Sequence, residues 1–173
     1  GTNQSLETFA VGKENVVVCK SMSKVYALSG ARVAYLCAGH RLIKELRALT
    51  PPWAVSLLGQ VAAVAALQDQ EYYVQRYEET HVLRTQLADG LKALSNLEIV
   101  PSVANFLLCH LPENGVDAAT VVDRCRPHRL FLRDAKVMGT QLGNHALRIA
   151  VKDEATNNRM LKILAHVLDA RAH

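Results

Sequence analysis

Residues 21–32 read SMSKVYALSGAR; one apolar run, Val16-Val17-Val18-Cys19, precedes them and another, Val33-Ala34-Tyr35-Leu36-Cys37, follows. Both runs are short and rich in β-formers, so they predict two buried strands with a loop between them. A loop fixed by two strands is a place where a lysine can do chemistry, because the strands set its position and apolar surroundings can lower a lysine's pKa. Lys24 is that lysine. Ser21 and Ser23 supply hydroxyls beside it, Gly30 lets the backbone turn, and Arg32 brings a guanidinium.

Hydroxyls, a guanidinium and a turning backbone are what a phosphate monoester needs, since arginine grips its oxygens bidentately. An imine-forming lysine beside such a grip points to pyridoxal 5'-phosphate. An ordinary solvated Ser/Lys turn is the competing reading of the same residues.

Taken in register, Ser21, Ser23, Lys24, Tyr26, Leu28, Gly30 and Arg32 resemble the lysine signature of fold-type I pyridoxal-phosphate enzymes, the class I and II aminotransferase superfamily. The likeness continues through Pro52-Trp53, the PSVANF of residues 101–106, Leu132-Arg133-Asp134 and Leu147-Arg148-Ile149. These are similar to landmarks of the histidinol-phosphate aminotransferase branch, which also contains threonine-phosphate decarboxylases. The resemblance implies an α/β chain that is the C-terminal part of the pyridoxal-phosphate-dependent transferase fold. Residues 1–70 would be a partial cofactor-binding large domain carrying the lysine loop, and residues 71–173 a small α+β sandwich domain that includes a long linking helix.

The same resemblance implies roles. Lys24 would hold the cofactor as an aldimine and move protons at the substrate α-carbon, while Ser21, Ser23 and Arg32 hold the cofactor phosphate. Arg148 would take the substrate α-carboxylate, although within ALRIAV it also reads as an outward strand residue. Arg133 would reach a distal substrate phosphate, or else be an exposed cation paired with Asp134. Tyr26 reads as a packing residue, and Asn105 as a site neighbour or a turn former. The implied substrate is an amino acid or a phosphorylated amino acid, and the implied assembly a homodimer. Transamination is the reaction expected; decarboxylation through the same aldimine is one alternative, and an inert or dimerising domain the other.

Part of the family pattern has no counterpart. No carboxylate matches the one that keeps the cofactor's ring nitrogen protonated, and the Gly-rich phosphate turn and the stacking aromatic are missing. Residues 2–9 are similar to the segment that follows the family's acidic pair. The chain is therefore expected to be the C-terminal half of such an enzyme, inactive by itself.

Composition narrows the classes of function. Half the residues are hydrophobic and 21% charged, a soluble globular composition, and the net charge of +4 is mild. That charge favours small anions, but no basic run is dense enough to argue for nucleic acid, and aromatic residues are too scarce for base stacking. Cys19, Cys37, Cys109 and Cys125 form no C-x-x-C pair and read as small core residues of a cytoplasmic, reducing compartment. His128, His145 and His166 lack metal-ligand spacing, so no metal is expected. The start is polar, unlike a signal peptide, and the apolar stretch at 61–67 is too short to span a bilayer.

Periodicity predicts the remaining elements. Leu42, Ile43, Leu46 and Leu49 mark an amphipathic helix over 41–49, which the prolines at 51 and 52 end. Residues 54–69, apolar on nearly every side, predict a helix buried on most sides. Residues 71–94 form a long charged helix with a stripe from Tyr73 to Leu94 and a solvated face that includes Glu78, Glu79, Arg84 and Lys92. Strands are expected at 98–100, 106–111, 130–133 and 146–151, with Asn96 and Pro101 as punctuation. Asp117 caps a helix that stops at Pro127, and the last helix starts near Asp153 with Met160, Leu161, Ile163, Leu164, Val167 and Leu168 facing inward. The order β-β-α-β-β-α places helices on a small sheet.

Overall fold

The computed structural model describes residues 5–94 and 97–169; residues 2–4 of the N-terminal segment and Asn96 lie outside them. Two compact units divide in sequence between Arg76 and Tyr77. The first is built on an antiparallel ribbon, β1 (Val18–Ser21) paired with β2 (Ala34–Cys37), with Val18 opposite Cys37 and Ser21 opposite Ala34. A one-turn helix preceding β1 is α1 (Glu7–Val11). The connection between the strands is itself wound: α2 (Met22–Val25) starts directly after β1, and a 3₁₀ turn at Ser29–Ala31 follows. Met22 is fully buried and, with Val33, Ala63 and Ala66, forms a small core edged by Tyr26, Leu28, Tyr35 and Tyr73.

The ribbon departs from the expectation of two buried strands. Cys19, Ser21, Ala34 and Leu36 are exposed, whereas Val18, Lys20, Tyr35 and Cys37 are half-buried. Alternate residues of a strand point to opposite faces, and α1 covers only one of them. The core reading of the cysteines therefore holds for Cys109 and Cys125, which are buried, and fails for Cys19.

The predicted helix over 41–49 is α3 (His40–Leu49), and the alanine-rich segment is α4 (Leu57–Gln68), capped by Ser56, whose hydroxyl accepts the Gly59 N–H at 3.0 Å. α4 is not buried on most sides. Its small residues Gly59, Ala63 and Ala66 face inward, and a Cβ on Gly59 would lie 3.1 Å from the Ala31 carbonyl oxygen. The bulky residues Leu57, Leu58, Val61 and Val64 occupy the other sides and are exposed, Leu58 at 83%. Before them, Trp53 stands 93% exposed with a left-handed backbone, φ 57°.

α5 (Gln70–Leu94) begins in the first unit and continues into the second. There an antiparallel sheet has the order β3 (Glu98–Ile99), β4 (Phe106–His110), β6 (Ala146–Ala150), β5 (Arg133–Asp134). With α6 (Ala118–Cys125) and α7 (Glu154–Asp169) the chain order is the predicted β-β-α-β-β-α. Leu107 and Cys109 of β4 and Leu147 and Ile149 of β6 pack with Leu87, Leu91, Val121, Met160 and Leu164 from the helices. Asp117 caps its helix as expected, accepting the Thr120 N–H at 2.8 Å, and Asp153, where the last helix was expected to start, accepts the Thr156 N–H at 2.9 Å. The strand expected at 130–133 begins only at Arg133, because Arg129 is left-handed (φ 55°) and Leu130 turns into the core, its N–H bonded to the Cys125 carbonyl. Gly90 sets the approach of α5 to α7, since a Cβ there would lie 2.5 Å from Leu161 Cδ1.

No helix among the described residues is long and apolar enough to cross a membrane. On α5, Leu91 is fully buried whereas Val82 is 57% exposed. Truncating Leu91 to Ala should cost about 2–5 kcal/mol, and Val82→Ala within about 0.5 kcal/mol. Urea unfolding of the two variants measures the difference, and equal losses would contradict the facing of α5.

Candidate functional site

Each of the sequence-derived site residues can be located. Ser21 ends β1 and caps α2, its hydroxyl accepting the Ser23 N–H at 3.3 Å. Lys24 lies on the turn of α2 and is exposed, while Met22 beside it points into the core. Arg32 adopts φ 50°, ψ 46°, and its Nη1 donates to the Ser29 carbonyl at 3.1 Å and to the Ser23 hydroxyl at 3.4 Å. The Ser23 hydroxyl and the Arg32 guanidinium thus meet at the end of the ribbon that carries Lys24, and the Ser21 hydroxyl is bonded to the Ser23 backbone.

Ala27 (φ 55°) and Arg32 are both left-handed without being glycine. Such residues cost on the order of 1 kcal/mol or more each and persist only where neighbours over-determine them. Here the Met22 N–H bonds the Val33 carbonyl at 3.1 Å and the Leu28 N–H bonds the Met22 carbonyl at 3.1 Å. Tyr26 packs edge-on against Tyr73, ring centroids 4.8 Å apart, and its carbonyl accepts the Tyr73 hydroxyl at 3.4 Å, which agrees with a packing role.

Beneath the other face of the ribbon lies a network the sequence reading missed. Glu7 Oε2 accepts Ser5 Oγ at 2.6 Å and Lys20 Nζ at 3.0 Å, and Glu7 Oε1 accepts the Tyr35 hydroxyl at 2.6 Å. These bonds, led by those from Ser5 and Tyr35, hold the Glu7 carboxyl down at about 2. Burial, then the bond to Glu7, pushes the Tyr35 phenol up. Period-two alternation along β1 was the available signal, because it puts Lys20 on the opposite face from Ser21.

In the second unit Arg148 lies on β6 directly opposite Arg133 on β5. Its guanidinium sits 4.1 Å over the ring of Phe106 on β4. Asp134, the candidate partner of Arg133, caps the following 3₁₀ turn by accepting the Lys136 N–H at 2.9 Å. Asn105 is exposed and its carbonyl accepts the Val151 N–H at 2.9 Å. Arg84, assigned from sequence to a solvated face, is instead half-buried and bonded to the Ala104 carbonyl.

Residues 2–164 match the family model described as aminotransferase class I and II. A histidinol-phosphate aminotransferase of Methanococcus maripaludis is 27% identical over 95% of this chain, which spans 44% of that protein's length. Among solved structures, the histidinol-phosphate aminotransferase of Clostridium acetobutylicum matches 99% of this chain and 51% of its own, with a TM-score of 0.87 and 20% identity. The L-threonine-O-3-phosphate decarboxylase of Porphyromonas gingivalis matches 94% and 50%, with a TM-score of 0.73 and 24% identity. Both structural likenesses are likenesses of fold, and the chain covers about half of either structure.

The Glu7 network carries a pH dependence. A carboxyl lowered from 4.5 to about 2 contributes stability that is complete above pH 4.5 and is lost as pH falls toward about 2. Glu7→Gln should flatten the acid limb of the unfolding midpoint against pH within that window. The same slope in both proteins would remove the network from any account of acid stability.

Proposed function

We propose, from the premise that this chain belongs to the aminotransferase class I and II family, that it carries the lysine and anion-binding residues of a pyridoxal-phosphate-dependent transamination. The substrate class is an amino acid or an amino-acid phosphate ester. What supports the reading above all is the group of polar residues on the turn that carries Lys24: Arg32 Nη1 lies 3.4 Å from Ser23 Oγ, and the Ser23 backbone N–H bonds Ser21 Oγ. A phosphate dianion accepts from hydroxyls and from guanidinium alike, so these residues fit the phosphate of pyridoxal phosphate. When bound, that cofactor supplies an electron sink for negative charge developing at the substrate α-carbon.

In this reading Ser21, Ser23 and Arg32 hold the phosphate, and the Lys24 ε-amine holds the cofactor's carbonyl carbon. Lys24 then moves a proton at the substrate α-carbon, for which a neutral amine is required. Arg148 takes the α-carboxylate and Arg133 a second anionic group. Their placement on neighbouring strands supports a substrate with two negative groups. The homodimer belongs to the same proposal, and so does the cytoplasm as compartment, which four free cysteines support.

A second reading, a self-associating domain without activity of its own, is favoured by the exposed apolar side chains of α4, Leu57, Leu58, Val61 and Val64. Decarboxylation would employ the same residues and differs in product: carbon dioxide is released and no amino group is handed on.

Incubation with pyridoxal phosphate followed by borohydride should leave a cofactor-sized mass increase on the peptide containing Lys24, absent in Lys24→Ala. Arg32→Ala should weaken the capture roughly 10- to 100-fold, the scale of one lost charge-assisted contact. Equal labelling of the wild type and Lys24→Ala, with self-association by size exclusion, would favour the second reading.

A further inference from the structure

Arg84 of α5 is bonded on two sides. Its Nη2 lies 2.7 Å from His81 Nδ1, and its Nη1 donates to the Ala104 carbonyl at 3.4 Å. Arginine only donates, so His81 Nδ1 must be the acceptor and the imidazole neutral. Burial, then the charge of Arg84, shifts His81 downward in pKa, which agrees with that state.

Ala104 belongs to a turn with internal bonds of its own. Ser102 Oγ accepts the Ala104 N–H at 3.0 Å and donates to the Phe106 carbonyl at 3.0 Å. The Asn105 carbonyl ties the same turn to Val151, just beyond β6. Phe106 is the next residue, and the Arg148 guanidinium lies 4.1 Å over its ring. A guanidinium stacked on an aromatic face keeps its N–H edges free to fork a carboxylate, and the ring limits the rotamers it can occupy.

We infer that Arg84 is a positioning residue: it fixes the Ala104 carbonyl, hence the 102–106 turn, hence the Phe106 ring that presents Arg148 to an anionic group. The use of this device rests on the reading of Arg148 as the carboxylate-binding residue. His81 supports it by holding the guanidinium from the far side.

The experiment uses the full chain with ¹³C,¹⁵N-labelled arginine, the Arg148 side-chain signals assigned with Arg148→Lys and titrated with succinate. In the wild type the Arg148 side-chain protons should be shifted upfield by the Phe106 ring, a shift lost in Phe106→Leu, and succinate should move them further. Arg84→Ala should carry those protons toward their Phe106→Leu positions and weaken succinate binding roughly three- to tenfold. Arg84→Lys, which keeps a donor for the Ala104 carbonyl, should restore most of the shift. Should Arg84→Ala not fold, His81→Leu removes the acceptor alone and is read by the same signal. An Arg148 shift unchanged in these variants, or insensitive to Phe106→Leu, overturns the inference. A shift lost in Arg84→Ala while the wild type ignores succinate upholds the positioning and overturns the carboxylate reading.

Discussion

Met22 is held from three directions, and the local geometry of the first unit follows from it. Its N–H bonds the Val33 carbonyl, its carbonyl accepts the Leu28 N–H, and its side chain is fully buried with Val33, Ala63 and Ala66. With Met22 fixed inward on the turn of α2, Lys24 is turned outward, and Ser23 next to Met22 stays within reach of Arg32. The left-handed residues Ala27 and Arg32 are tolerated on the same account: the chain must return from Met22 to Val33 over a short path. Arg32 is thereby brought back over Ser29 and Ser23.

The second unit was the more legible in sequence. Its signals are local: Asp117 and Asp153 cap the helices that follow them, and alternation along β4 and β6 separates Leu107, Cys109, Leu147 and Ile149 from Phe106 and Arg148. The lysine signature likewise named a loop, although its winding into α2 and a 3₁₀ turn was not visible in composition. What failed was whatever depends on neighbours distant in sequence. An apolar helix such as α4 reads as buried whichever of its sides is covered, and only the small residues Gly59, Ala63 and Ala66 could have marked the inward one. Glu7, Lys20 and Tyr35 come together only once α1 lies on the ribbon. Arg84 was within reach of sequence reasoning, since His81 stands one helical turn before it on the same face.

Arg133 and Arg148 face each other across β5 and β6, and like charges in that position destabilise a sheet. The structure lessens this cost by laying Arg148 over Phe106. A bound anion would relieve it further, so the same pair that weakens the sheet slightly is suited to the substrate class proposed here. The Glu7 network is the opposite case: opposite charges and hydroxyls gather under the ribbon and stabilise the arrangement at neutral pH.

Trp53 is the only tryptophan in the sequence, and its indole stands almost wholly in water. Its emission therefore starts at the long-wavelength end expected of a solvated indole, whether or not either core is formed. Unfolding will scarcely shift that colour, and a fluorescence melt would pass over the loss of both cores. A blue shift on mixing, conversely, reports that something has covered the surface around Trp53. The molecule thus carries a built-in optical probe that is nearly blind to folding and sensitive to contact.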